Sequence, residues 1–266
     1  MSSTDLAIDV SNLVTHYGPR KILDDISFQA RQGEIMVIMG GSGSGKSTLL
    51  RHLLGLHQPT SGSIKLLGKD ITKLSADEMY DLRKNMGVAF QGGALFNSMT
   101  VGENVELPLR EHTKLDENTI RIMSRMKLEV VNLAGFESLM PAELSGGMIK
   151  RAALARAIVM DPRLLFFDEP SAGLDPVVSA ELDELILILR DAMNMTIVVV
   201  THELESAFKI ADRITVLDQG RILMSDTVAA VRASDNQRIQ SLLNRTPRNE
   251  NINAEEYMER LTREIF

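Results

Sequence analysis

Short apolar runs alternate along the chain with longer segments in which apolar residues recur every three or four positions. Ile35–Met39, Gly87–Phe90, Leu164–Phe167 and Thr196–Val200 are strand-length and apolar almost throughout, the pattern of strands covered on both faces. Ile214–Leu217 and Ile222–Met224 flank Asp218-Gln219-Gly220-Arg221 and predict a hairpin. Ala7–Val10, Ile22–Ala30 and Ser63–Leu67 predict antiparallel strands, with turns at Tyr17-Gly18-Pro19 and Ser61-Gly62. Strands alternating with helices imply an α/β domain with a mostly parallel sheet and a smaller antiparallel β subdomain.

From about 92 to 160 the texture becomes helical. Asp116–Leu133 carries Ile120, Met123, Met126 and Val130 at helical spacing, and Leu182–Leu189 is so apolar that its helix is expected to be well buried. Beyond Arg245 the stretch Thr246-Pro247-Arg248-Asn249-Glu250-Asn251 is polar and rich in breakers. It precedes Ala254–Phe266, whose apolar anchors are Tyr257, Met258, Leu261, Ile265 and Phe266. The expected division is one domain over 1–245, with a helical subdomain at about 92–160, and a C-terminal extension over 246–266 ending in a short amphipathic helix. Such a helix is marginal unless docked, either on its own chain or on a partner.

Composition narrows the chemistry. The 266 residues are 44% hydrophobic and 24% charged, ordinary for a globular chain able to bury a large core. With no cysteine, disulfides, thiolate metal sites and cysteine nucleophiles are excluded. A net charge of −7 argues against a nucleic-acid partner held by phosphate neutralisation. No apolar run approaches the ~18–20 residues of a membrane-spanning helix, and MSSTDLAIDV has no basic region followed by an apolar one, so no secretory signal is expected.

The clearest chemical signal is Gly40-Gly41-Ser42-Gly43-Ser44-Gly45-Lys46-Ser47, which matches G-x-x-x-x-G-K-[ST] between a strand and the helix predicted at Thr48–Leu54. Glycines let backbone amides converge on phosphate oxygens, and the helix N-terminus adds the positive end of its dipole. Lys46 would reach the β- and γ-phosphates of ATP and Ser47 would ligate Mg²⁺. An acidic partner follows the buried strand Leu164–Phe167. Asp168 would hold the metal through water, and Glu169 would polarise the attacking water.

Leu144-Ser145-Gly146-Gly147-Met148 then opens a helix running to about Met160, with Ser145 as N-cap and two glycines leaving amides bare. One fold has no room for two cradles on one γ-phosphate. The economical reading is that Ser145, Gly146 and Gly147 serve ATP held by another copy of the chain.

With these elements in order, the sequence resembles the ABC-transporter nucleotide-binding domain family over nearly its whole length. The resemblance rests on Tyr17, the loop at Gly40–Thr48, Gln91, Leu144–Met148, Asp168-Glu169 and His202 after the strand Thr196–Val200. It implies that Tyr17 stacks on adenine, that Gln91 senses the metal and relays to a permease, that Asp175 lies at a dimer seam, and that His202 contacts the γ-phosphate. Taken singly, Tyr17 could merely pack a turn, His202 could be a strand-end hydrogen bonder, and Asp175, ahead of Pro176, could cap the next helix.

Met148 stands where the family usually has glutamine. This variant, with Phe90–Phe96 and Glu103–His112, resembles the Mla-type ATPases of the MCE-associated lipid transporters of Gram-negative bacteria. That likeness implies phospholipid movement between inner and outer membranes by a homodimer on the cytoplasmic face of the inner membrane. The implied partners are an integral permease (MlaE-like), a small STAS-domain protein (MlaB-like) and a periplasmic MCE-domain protein (MlaD-like). A solute importer or exporter subunit with the same engine is the alternative.

Overall fold

The computed structural model describes residues 6–246, so the expected tail helix lies outside the described residues. In chain order the strands are β1 (Leu6–Tyr17), β2 (Arg20–Arg31), β3 (Ile35–Met39), β4 (Ser61–Leu66), β5 (Lys69–Asp70), β6 (Met86–Ala89), β7 (Leu164–Asp168), β8 (Thr196–Thr201), β9 (Arg213–Asp218) and β10 (Arg221–Thr227). The helices are α1 (Lys46–Leu53), α2 (Ala76–Arg83), α3 (Val101–His112), α4 (Glu117–Val130), α5 (Gly146–Ile158), α6 (Pro176–Met193), α7 (Leu204–Ile210), α8 (Val228–Arg232) and α9 (Gln237–Leu243).

Two sheets form, in strand order β2-β1-β4-β5 and β10-β9-β3-β8-β7-β6. The first is antiparallel. In the second, β9, β3, β8, β7 and β6 run parallel and β10 runs against β9. Its central strands are continuously apolar because successive residues enter different cores. Met36, Ile38, Phe166, Val198 and Val200 pack with the antiparallel sheet and α1, whereas Ile35, Val37, Met39, Phe167 and Val199 pack with the helices beyond the other face.

Local chemistry explains most element ends. The β9–β10 turn needs positive φ at two successive residues and has it at Gln219 and Gly220 (φ 46° and 76°). Thr100 and Glu103 cap α3 reciprocally, as Ser75 and Glu78 cap α2. Asp116 caps α4, and Asp175 caps α6 by accepting from the Val177 and Val178 amides.

Two expectations need correction, at Ser61-Gly62 and in part of α6. Ser61-Gly62 is the start of β4 and not a turn. Gly62 has φ 92° and lies where a Cβ would come within 2.4 Å of the Asn12 carbonyl oxygen, opposite an irregularity in β1. The helix expected over Asp116–Leu133 forms as α4, which turns Ile120, Ser124 and Leu128 inward and leaves Met126 and Val130 exposed. In α6, Leu182, Leu185, Ile186 and Leu189 are buried as expected but Ile188 faces out.

α6 and α7 are tied by a buried bond in which the Ser206 hydroxyl donates to Asp183 at 2.5 Å. Burial is the main cause that pushes the Asp183 carboxyl above its ordinary value, with the Ser206 bond and Lys209 opposing it. A raised carboxyl pKa contributes stability that is complete below the unfolded value and is lost as pH rises through the folded one. Asp183→Asn, which can still accept from Ser206, is therefore expected to melt at higher temperature than the wild type near pH 7. That advantage should vanish in melts taken below about pH 4.

Candidate functional site

Parallel strands deliver their carboxyl ends to one edge of the sheet. β3 runs into residues 40–47, β6 leads to Gln91, Glu169 follows β7 and His202 follows β8. The register Ile38↔Val200 and Asp168↔Val200 sets the ends of β3, β8 and β7 level, so three segments distant in sequence are neighbours.

The glycine-rich loop is held from behind. A Cβ on Gly40 would come within 2.1 Å of the Leu217 carbonyl oxygen, and Gly45 takes φ 106° as N-cap of α1. Gly43 (φ 72°) has open space before it. Ser42 and Ser47 are exposed, Gly41 and Thr48 half-buried, and the buried Ser44 hydroxyl has no hydrogen-bond partner among the described residues. No side chain caps α1, so its first-turn amides are available to an anion. The Lys46 ammonium donates to the Gly40 and Gly41 carbonyls at 2.8 and 3.1 Å. Burial lowers its pKa, opposed by the charges of Glu169 and Asp168.

Glu169 sits at φ 49°, pinned by its amide to the Val200 carbonyl. Its Oε2 lies 2.8 Å from His202 Nδ1 and accepts the His202 amide at 3.3 Å. The His202 side chain is 59% exposed and that of Glu169 only 14%, so the histidine can face a ligand while still orienting the carboxylate. Burial, and then the Glu169 charge, raise the Asp168 pKa, with Arg51 and Lys46 opposing. A cleft of about 480 Å³ lined by Gly41, His202, Leu217, Asp218, Arg238 and Arg245 opens alongside.

Ser47, Gln91 and Asp168 offer hydroxyl, amide and carboxylate oxygens, a hard-donor set that fits Mg²⁺ in company with waters and nucleotide phosphate. The two neighbouring carboxylates of Asp168 and Glu169, one with its pKa raised by burial, give a cation something to neutralise.

Other predicted residues lie elsewhere. Tyr17 ends β1 in the antiparallel sheet, 44% exposed and edge-on to the His57 ring. Ser145 and Gly146 are exposed, and Ser145 caps α5 by accepting from the Met148 amide. Among the described residues no hydrogen bond joins Ser145, Gly146 or Gly147 to residues 40–47. Asp175 acts as a helix cap, the plainer of its two readings.

Two groups had no motif to announce them. Lys150 on α5 donates to the carbonyls of Glu169, Pro170 and Ala172. Arg156, further along the same helix, donates to the carbonyls of Gly93 and Ala94, just past Gln91. Their only sequence signal was a cationic residue inside an otherwise small-residue, apolar helix.

Fold and site together define a P-loop ATPase of the cassette type. The family model described as ABC transporter matches residues 23–172, and the chain belongs to that family as an ATPase subunit that hydrolyses ATP. It is 44% identical, over 89% of each chain, to the intermembrane phospholipid transport system ATP-binding protein MlaF of Haemophilus influenzae. It is 42% identical to the probable ribonucleotide transport ATP-binding protein mkl of Mycobacterium leprae, over 90% of this chain and 69% of that one. An ATP-binding cassette solved as a dimer in a post-hydrolysis state with ADP and Pi superposes with TM-score 0.77 and 30% identity, over 83% of this chain and 98% of that one. For cbiO1 of Clostridium perfringens, part of the ABC transporter complex cbiONQ, the TM-score is 0.80 at 30% identity, over 92% and 97%.

Gly40 tests the loop directly. Gly40→Ala is expected to lose about 1–3 kcal/mol of stability, because a backbone carbonyl cannot step aside as a flexible side chain can. It should also fail to retain ATP in equilibrium dialysis, with the melting curve reporting the first effect independently of the second.

Proposed function

We propose that two copies of this chain close around two ATP molecules on the cytoplasmic face of the bacterial inner membrane and power phospholipid trafficking between inner and outer membranes. The reading is carried by the 44% identity, over nine-tenths of each chain, to a protein named for intermembrane phospholipid transport.

In each site adenine lies on Tyr17 and the phosphates lie against residues 40–48. Lys46 reaches the β- and γ-phosphates, and Ser47, Gln91 and Asp168 would hold Mg²⁺. The metal supplies charge neutralisation on the phosphate oxygens. Glu169, oriented by His202, polarises the attacking water as general base, and His202 faces the γ-phosphate. Ser145, Gly146 and Gly147 of the second copy close the site with the backbone amides at the start of their helix, and Asp175 lies near the seam. The dimeric relative bound to ADP and Pi supports this pairing. ATP drives closure because it binds the closed pair preferentially, and hydrolysis reverses the preference.

Partners follow from the same relationship: an integral permease (MlaE-like), a STAS-domain protein (MlaB-like) and an MCE-domain protein (MlaD-like). The permease would meet the exposed Phe90 and Phe96, which with Leu107, Pro108, His112 and Arg156 line a groove beyond Gln91. The C-terminal extension, 246–266, would dock on a neighbouring subunit. Ribonucleotide transport is a second reading, favoured by the 42% identity to the mycobacterial protein. The shorter share of that relative covered by this chain weighs against it.

Full-length chain pulled from detergent-solubilised membranes should carry STAS- and MCE-domain proteins with it, and a periplasmic solute-binding protein in their place would overturn the lipid assignment. Separately, Glu169→Gln should lower kcat by about 10²–10⁴ while retaining ATP binding. Near wild-type turnover would remove Glu169 from the role of base.

A further inference from the structure

Lys150 stands apart from the surface cations in where its charge goes. Its stem borders a narrow apolar crevice lined by Ala89, Phe90, Phe167, Pro170 and Leu182, and its ammonium emerges behind Glu169. An ammonium has three protons to donate. Here they meet the carbonyls of Pro170 and Ala172, each at 2.6 Å, and of Glu169 at 3.4 Å.

The segment so gripped has little regular structure of its own. It turns through positive φ at Glu169 and again at Gly173, with the Ala172 amide folded back onto the Glu169 carbonyl and the Leu174 amide onto Ser171. Ser171 is buried, and its hydroxyl has no partner among the described residues. Lys150 therefore supplies bonds from outside to a turn whose first residue carries the Glu169 carboxylate and whose continuation reaches Asp175.

At its other end the lysine belongs to the first turns of α5. The Ile149 amide bonds the Ser145 carbonyl, so Lys150 follows directly on the turn that begins at Ser145, Gly146 and Gly147. An α-helix moves as a unit over so short a distance, because each residue is tied to the one four before it.

We infer that Lys150 is a positioning residue that locks the turn behind Glu169 to the helix end at Ser145–Gly147, so that ATP of a second copy, captured at that helix end, is registered at Glu169 of this one. The inference rests on the paired-site reading above. Closure of the pair already couples the two sites, and this link adds a direct route from the captured nucleotide to the base. With it, occupation of one site adjusts the base of the other, a coupling of two sites through one element that both bias.

Steady-state ATPase measurements on the full-length chain purified with its membrane partners test this. The wild type is expected to respond to ATP with a Hill coefficient approaching two, the number of sites. Lys150→Met keeps the stem and removes the donors. It should lower kcat on the order of 10- to 10²-fold through misplacement of Glu169, shift KM by less than about twofold and reduce the Hill coefficient below that of the wild type. Lys150→Arg, which can still donate to two of the carbonyls, should restore most of both.

Wild-type kcat and Hill coefficient in Lys150→Met would overturn the inference. So would a fall in kcat with the Hill coefficient unchanged, which would reduce Lys150 to a structural peg. Should Lys150→Met melt below the assay temperature, Lys150→Gln, with an amide donor in place of the ammonium, is read by the same two criteria. A wild-type Hill coefficient of one would sink the paired-site reading itself, and it is told apart because it is seen before any substitution is made.

Discussion

Everything at this site depends on the parallel register of β3, β8 and β7. In a parallel ladder a slip by one residue turns each side chain to the opposite face. Because these strands are buried on both faces, a slip by one residue would exchange Phe166 with Phe167 between two different cores. The level carboxyl ends of the strands follow, and with them the approach of Lys46, Asp168, Glu169 and His202. The site is thus placed by hydrophobic packing on residues that never touch a ligand.

Placement by strands gives position but not coupling, since strand ends are followed by irregular chain. The irregular segments after β6 and β7 are both held by α5, through Arg156 on the Gly93 and Ala94 carbonyls and Lys150 on those of Glu169, Pro170 and Ala172. Burial lowers the pKa of both cations, opposed at Lys150 by the Glu169 charge, and the carbonyls they meet give their N–H donors partners. A helix that is unremarkable in its own apolar pattern bridges these two segments and its own N-terminal end. Its outer end presents Ser145, which is exposed and bonded only within its own helix turn among the described residues. That end is free to face a second molecule, as a shared site requires.

Much of this was legible from local chemistry. The phosphate loop announced itself because glycines at positions that must take positive φ or lie against backbone leave a recognisable spacing. The strands announced themselves because burial on both faces leaves no room for polar residues. Asp175 before Pro176 was correctly open to a capping role, which the Val177 and Val178 amides fill. The misreadings have a common cause. Ser61-Gly62 has the composition of a turn, yet the glycine is there because β1 presses against it at Asn12. Leu182–Leu189 is apolar almost throughout, yet Ile188 faces out, because burial along α6 follows where its neighbours lie.

The sequence by itself determined the chemistry: a phosphate loop, a carboxylate pair after a buried strand, a second bare helix end, and strands that must be covered on both sides. These are statements about neighbours in the chain, where spacing and residue type carry the information. Only the tertiary structure decided which of these elements meet. It set Glu169 against His202, put Lys150 behind Glu169 and left Ser145 facing outward, because contacts between residues far apart in sequence depend on packing that no local pattern encodes.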